Sequence, residues 1–314
     1  MKRKKSIISA SRRTDIPAFF AEWFINRIRA GYCTNVNPLN KQQVSRISLK
    51  PEDVEVIVFW TRNPEPLMPY LDELNERGYR YYFQYTVLNY SRHYDQRGPT
   101  LEEAVRTFKK LSEQIGRKKV IWRYDPILFT DDLDVKFHAK QYAEIAAALE
   151  GNTERSIISI ADITKNIAMR MSPEAPREPT PEEIEELMTD IGRTAIKRGM
   201  EIYSCAERYD LSKYGILKGK CIDDELIKHI FGVDVTNKKD KGQREECGCV
   251  QSKDIGMYNT CRHGCKYCYA TRSNAPAAEI CATHNPSSPS LVGQFEPEVS
   301  REDLREENQG KLNL

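Results

Sequence analysis

Residues 119–161, KVIWRYDPILFTDDLDVKFHAKQYAEIAAALEGNTERSIISIA, read as a strand, a helix and a second strand. The runs at 119–124 and 156–161 are dense in β-branched and aromatic side chains, which suit a pleated, buried surface. Between them, residues 134–151 place apolar side chains near i, i+3, i+4 and i+7, the period of an amphipathic helix. Gly151 follows where a left-handed C-cap is favoured. A strand, a helical crossover and a second strand make a βα repeat, and such repeats build a parallel sheet.

The same alternation recurs on both sides. SIISA (6–10), VEVIVFW (54–60), RYYFQYT (80–86) and MEIYSCA (200–206) bring the expected strands to six. Between them fall the helical patterns AEWFINRIRAG, EPLMPYLDELNERG, TLEEAVRTFKKLSEQIG and TPEEIEELMTDIGRTAIKRG. Thr100 and Thr180 occupy N-cap positions, and Glu183, three residues after Thr180, fits a capping box. So regular a series predicts an α/β fold, a full or partial (β/α) barrel of about six parallel strands. An open doubly wound sheet is the alternative.

The barrel is expected over residues 1–216, a cysteine-rich segment closing it over 217–282, and an extended tail over 283–314. The insert Thr34–Lys50 suggests a hairpin-like excursion over the barrel mouth. DDELIKHIFG reads as a short helix, and the polar stretch DVTNKKDKGQREE as an exposed linker. The tail from His284, rich in Pro, Ser and charge, is expected to wrap the surface or to be partly disordered. EEIEEL and SREDLREE read as solvated helix faces.

With 314 residues, 39% of them hydrophobic, the chain can bury one sizeable core. Lys and Arg number 48 against 46 Asp and Glu, a formal charge of only +2, so no global basic field argues for nucleic acid. There is no apolar h-region near the N-terminus and no run approaching the ~18 residues of a membrane span. The expected compartment is the cytoplasm. There, nine cysteines point to metal or redox chemistry rather than to a disulfide framework.

Eight of the nine fall in roughly the last third of the chain. Cys261, Cys265 and Cys268 form C-x3-C-x2-C, and three thiolates in one short loop can ligate three irons of a [4Fe-4S] cubane, leaving the fourth iron open. A zinc site completed by His263, or thiols that bind nothing, are the alternatives; zinc more usually takes four ligands in paired C-x2-C spacing. Cys205, Cys221, Cys247 and Cys249 make a second possible quartet, the right number for an auxiliary iron-sulfur cluster. They read equally well as buried or surface thiols. Cys33 and Cys281 are taken as structural.

The spacing, with Tyr267 before the third cysteine and the string HGCKYCYA at 263–270, resembles the cluster loop of radical SAM enzymes. The resemblance implies a [4Fe-4S] cluster on Cys261, Cys265 and Cys268, S-adenosylmethionine chelated at the open iron, and Tyr267 packed by the adenine. It further implies an electron donor such as flavodoxin or ferredoxin, and a 5′-deoxyadenosyl radical acting on an unknown substrate. Radical SAM enzymes carry this loop near the N-terminus, whereas here it follows all the βα units; in a nearly closed barrel the first and last elements are neighbours, so such a permutation can keep the site in place. Over nearly its full length the chain also resembles an uncharacterised bacterial family known only as a domain of unknown function, whose C-terminal cysteines are similar to the radical SAM cluster.

Strand C-termini should line the mouth. They carry Arg12, Arg13, Thr14 and Asp15; Thr61, Arg62 and Asn63; Gln84 and Thr86; Arg123, Tyr124 and Asp125; Asp162; and Glu207. Arg12 or Arg13 suits a cofactor carboxylate or a substrate anion, and Asp125 or Asp162 suits ribose hydroxyls. Ion pairs closing the rim, such as Arg123 with Asp125, are the plainer alternative. The arginines with Trp60 and nearby tyrosines also suit contact with nucleic acid, which the net charge does not favour. His93 and His138 look exposed and receive no role. An iron-sulfur or zinc protein without radical chemistry, binding nucleic acid or carrying electrons, is the competing function.

Overall fold

The computed structural model describes residues 5–37, 40–272 and 274–295. The elements run β1 (Ser6–Ala10), α1 (Ile16–Phe19), α2 (Ala21–Ala30), β2 (Tyr32–Asn37), β3 (Asn40–Ser48), β4 (Val54–Thr61), α3 (Leu71–Glu76), β5 (Tyr81–Thr86), α4 (Leu101–Ile115) and β6 (Val120–Ile127). They continue with α5 (Val135–Leu149), β7 (Arg155–Ile160), α6 (Lys165–Met171), α7 (Pro181–Lys197), β8 (Glu201–Cys205), β9 (Leu217–Gly219), α8 (Asp224–Phe231), β10 (Lys253–Asp254) and α9 (Asn274–Ala282).

All six expected strands are present, and with β9 and β10 they form one eight-stranded parallel sheet ordered β10-β1-β4-β5-β6-β7-β8-β9. The barrel is not closed, because among the described residues no ladder joins β9 to β10. The gap is bridged by irregular chain. Val250 donates its N–H to the Ile222 carbonyl at 3.1 Å, just beyond β9, and Ile255 donates to Ser9 of β1, also at 3.1 Å. β9 and β10 are three and two residues long, too short for periodicity to reveal them.

Alternation along the strands sorts the sheet into two cores. Ile8, Ile57, Phe59, Phe83, Trp122, Tyr124 and Ile158 face the helices α2, α4, α5 and α7. Ile7, Val56, Val58, Tyr82, Ile121 and Ile157 face the other way and are covered by Leu226 and Ile227 of α8, with Cys221, Cys247, Cys249 and Val250. The segment read as a linker thus helps to cap the second face: Asp240 donates to the Cys249 carbonyl at 2.9 Å and Gln251 to that of Lys238 at 2.9 Å.

The hairpin is real but begins and ends two residues earlier than expected, with β2 and β3 pairing antiparallel from Tyr32 opposite Ser48. The start of the tail is docked rather than loose. Trp23 Nε1 donates to the Ser288 carbonyl at 2.9 Å and Arg27 Nη2 to that of Ser287 at 2.9 Å. Its remainder, including SREDLREE, lies outside the described residues. His138 corrects the reading of an exposed histidine: it is fully buried on α5 beside Tyr142 and Ile145. His93 is partly exposed and pairs with Glu174 at 2.8 Å. No helix among the described residues is long and apolar enough to cross a membrane.

Candidate functional site

The loop carrying Cys261, Cys265 and Cys268 is held from three sides, each by an element that ends at the same rim of the sheet. From the segment after β1, Asp15 accepts from His263 Nε2 at 2.8 Å while its other oxygen caps α1 through the Ala18 N–H at 3.0 Å. From the end of β4, Arg62 Nη1 reaches Cys265 Sγ at 3.1 Å and the Tyr267 hydroxyl at 3.4 Å, and its Nη2 forms an ion pair with Asp95. From the loop after β5, Arg97 donates its N–H to the His263 carbonyl and Lys266 donates to that of Tyr94, both at 2.9 Å.

Arg170 of α6 completes the frame. Its Nε donates to the Lys266 carbonyl and its Nη1 to that of Thr271, both at 2.9 Å, and its Nη2 reaches the Cys268 carbonyl. A rigid guanidinium fork satisfying several carbonyls of one loop fixes the loop's path.

The three thiols are half-buried on the one loop. Burial pushes the Cys265 thiol up to about 12, against the pull of Arg62, and raises Cys261 well above its usual value, with Cys268 adding to the effect. Burial works against the Arg62 charge, yet Tyr267, Cys265 and Asp95 hold the guanidinium protonated. Tyr267 packs edge-on against Tyr90 with ring centroids 5.6 Å apart.

Several buried polar atoms at this rim have no hydrogen-bond partner: Thr14 Oγ1, Arg62 Nε, His263 Nδ1, Thr271 Oγ1 and Arg12 Nη2. Buried polar groups are rarely left unpaired, so such a concentration marks a place built for a ligand. Among the described residues no group of three or more His, Cys, Asp or Glu side chains is arranged to hold a single metal ion.

Among the strand-end residues Arg62 reaches the thiols, at Cys265; of Tyr267, Arg12, Arg13, Asp125 and Asp162, expected to bind cofactor, only Tyr267 shares a partner with them, through Arg62. Arg13 turns to Asp254 at 3.9 Å and to the Gly256 carbonyl at 3.5 Å. Asp162 is half-exposed and paired with Arg244. Asp125 pairs with Arg123, as the plainer reading had it, and accepts from Ser159. Arg12 stacks on Trp60 at 5.3 Å and faces Cys249.

Cys205, Cys221, Cys247 and Cys249 are brought together at the second core, with the Cys205 and Cys221 sulfurs 2.9 Å apart and the Ile222 N–H donating to Cys249 Sγ at 3.4 Å. Glu207, beyond the end of β8, accepts from the Ile160 N–H at 2.5 Å, and its carboxyl is pushed up to about 7 by burial, with the nearby Asp125 charge adding to the shift.

Asp95 and Arg170 were not singled out from the sequence, and Arg62 was noted only as a rim residue. Nothing local to any of them signals its role, since Asp95 acts on Arg62, Arg170 on Lys266 and Arg62 on Cys265, all far apart in sequence.

Residues 7–270 match the family described as Domain of unknown function (DUF1848). No curated protein matches the chain. Among solved structures, the promiscuous reductase LugOII, which catalyses keto-reduction at C1 during lugdunomycin biosynthesis, is 13% identical over 65% of this chain and 78% of that one, with a TM-score of 0.23. A protein assigned as an alpha-L-fucosidase from Bacteroides thetaiotaomicron VPI-5482 is 13% identical over 57% of this chain and 72% of that one, with a TM-score of 0.26. Overlaps this weak carry nothing about function.

Proposed function

The chain belongs to the DUF1848 family, and from that premise we propose that it is a radical SAM-type enzyme holding a [4Fe-4S] cluster on Cys261, Cys265 and Cys268. The observation that carries this reading is the gathering of three half-buried thiols, none in a disulfide, on one loop clamped by Arg62, Asp15 and Arg170 and ringed by polar atoms without partners. The donor set fits. In a cubane each thiolate binds a different iron, so three ligands need not converge on a point, as they must for one tetrahedral zinc.

When bound, the reduced cluster and S-adenosylmethionine would supply a 5′-deoxyadenosyl radical for hydrogen abstraction from the substrate. The chain's own residues do the positioning. Arg62, kept cationic by Asp95 and Tyr267, offsets negative charge beside the Cys265 thiolate. Tyr267 offers a buried ring edge where an adenine would pack, and the free Nδ1 of His263 and Oγ1 of Thr14 and Thr271 are available to polar groups of a ligand. A polar substrate and a flavodoxin- or ferredoxin-type electron donor would approach from outside, with Arg12, Arg13, Asp125 and Asp162 as the candidate residues to meet them.

The test is anaerobic reconstitution and reduction, addition of S-adenosylmethionine, and chromatography for 5′-deoxyadenosine. Turnover by the wild type and none by Cys265→Ser is expected. Absence of product from protein carrying a full complement of iron and sulfide, with and without cell extract as a substrate source, would overturn the reading.

A further inference from the structure

The second group of thiols lies at the seam of the open sheet and draws on three separate stretches of chain. Cys205 ends β8, Cys221 follows β9, and Cys247 and Cys249 lie on the segment that leads to β10 at the opposite edge. None is in a disulfide, and Cys221, Cys247 and Cys249 are buried. The four cysteines border the second hydrophobic core, and four thiols meeting at one place are also the donor set of a soft metal ion.

Two buried cations face it. Arg123 Nη1 lies 2.6 Å from Cys221 Sγ, and the Arg12 guanidinium is held charged chiefly by Cys249, against its own burial. The indole of Trp60 lies between them, 5.3 Å from Arg12 and 5.1 Å from Arg123. Arg12 Nη2 is buried with no partner, and the Ile222 N–H points at Cys249 Sγ at 3.4 Å.

We propose that Cys205, Cys221, Cys247 and Cys249 form a second metal site, a tetrathiolate holding one divalent zinc or iron ion, with Arg12 and Arg123 as its counter-cations. Four thiolates and one divalent ion carry a net charge of −2, which the guanidiniums of Arg12 and Arg123 offset in part, Arg123 being shared with Asp125 and Arg12 lying 3.9 Å from Asp240. Burying that anion without them would be prohibitively costly.

Size distinguishes this site from the auxiliary iron-sulfur cluster expected from the cysteine count. A metal–sulfur distance of about 2.3 Å in a tetrahedron places the sulfurs about 3.8 Å apart. The Cys205 and Cys221 sulfurs, 2.9 Å apart, lie inside that spacing, whereas cubane ligands sit on separate irons and lie farther apart. Among the described residues no group converges on an ion. Ion binding displaces the S–H protons and frees the four sulfurs to turn inward.

The experiment measures zinc, iron and acid-labile sulfide in protein purified anaerobically, for the wild type, Cys265→Ser and Cys249→Ser. One zinc, or one iron without matching sulfide, should remain in Cys265→Ser and disappear in Cys249→Ser. Metal unchanged in Cys249→Ser, or loss of several irons together with equal sulfide, overturns the proposal. To guard against misfolding of that variant, cobalt(II) is added to the metal-free triple variant Cys261→Ala/Cys265→Ala/Cys268→Ala. The visible d–d absorption of tetrahedral thiolate-bound cobalt is the expected signature, and its absence also overturns the proposal. The radical reading can fail separately, since its failure appears only in the 5′-deoxyadenosine assay.

Discussion

Glu207 and His138 titrate in opposite senses, and together they set how stability depends on pH. Burial holds the Glu207 proton to about 7 against an ordinary 4.5, so the folded state binds more protons than the unfolded one between those values, and stability falls as pH rises through that window. His138 is the reverse. Desolvation lowers it to about 4 from 6.5, with its ring held neutral between the Tyr124 hydroxyl at 3.0 Å and the Leu128 carbonyl at 2.6 Å, so stability is lost as pH falls through that range. Each shift corresponds to at most about 3 kcal/mol, and between about pH 4.5 and 6.5 the two oppose each other. Glu207→Gln keeps an acceptor for the Ile160 N–H but removes the carboxyl titration. Urea midpoints should then rise from pH 5 to 6.5 in the variant and change much less in the wild type; equal slopes in the two proteins would refute the assignment. His138 was legible after all: 138, 142, 145 and 149 fall on one face of α5, the stripe that marks burial. Its polarity misled, because a histidine on an apolar stripe was read by its type and not by its position.

At the scale of elements, the repeating unit was read well because it is local. The helix at 100–116 was bounded by Thr100 and Gly116, and α4 runs from Leu101 to Ile115 with a capping box at its start. Likewise at α7, Glu183 donates its N–H to Thr180 Oγ1 at 3.3 Å, and its carboxylate accepts from the Thr180 N–H at 2.8 Å. Thr180→Ala should lose about 1 kcal/mol in a denaturant titration. Farther along α7 the local rule gives the wrong sign. Alanine is favoured over glycine by up to about 1 kcal/mol inside a helix, but a Cβ on Gly192 would lie 2.1 Å from the Tyr214 carbonyl oxygen. Gly192→Ala should therefore destabilise by about 2 kcal/mol or more, as overpacking against fixed backbone does, with a lowered thermal midpoint as the measurement. A neutral or raised midpoint would mean that the turn after β8 yields. That turn is invisible to helical periodicity, as are the short strands β9 and β10.

For the whole molecule, what the sequence concealed was the seam. The cysteine spacing and the HGCKYCYA string made the first group of thiols visible, because all three ligands lie within eight residues. The second group draws on β8, the end of β9 and the returning chain, and its cations come from β6 and from the segment after β1, so only the folded sheet brings them together. The same placement makes the quartet a structural staple. The chain passes from Cys249 through Gly256, where a Cβ would sit 2.0 Å from Ser11 Oγ, so the return strand must lie hard against the first strand's loop. An ion on the four sulfurs ties that return strand to the β8–β9 edge. Where free metal exceeds its dissociation constant about a thousandfold, binding to the folded state alone stabilises by about 4 kcal/mol, which for a chain of this size raises the thermal midpoint by roughly 6 °C. The measurement is differential scanning calorimetry on the Cys261→Ala/Cys265→Ala/Cys268→Ala protein, metal-loaded and then stripped with a chelator, so that no cluster on the first loop contributes. A midpoint that falls on stripping and returns with zinc is expected, whereas one indifferent to metal would leave the open edges of the sheet held by the hydrogen bonds of Val250 and Ile255 alone.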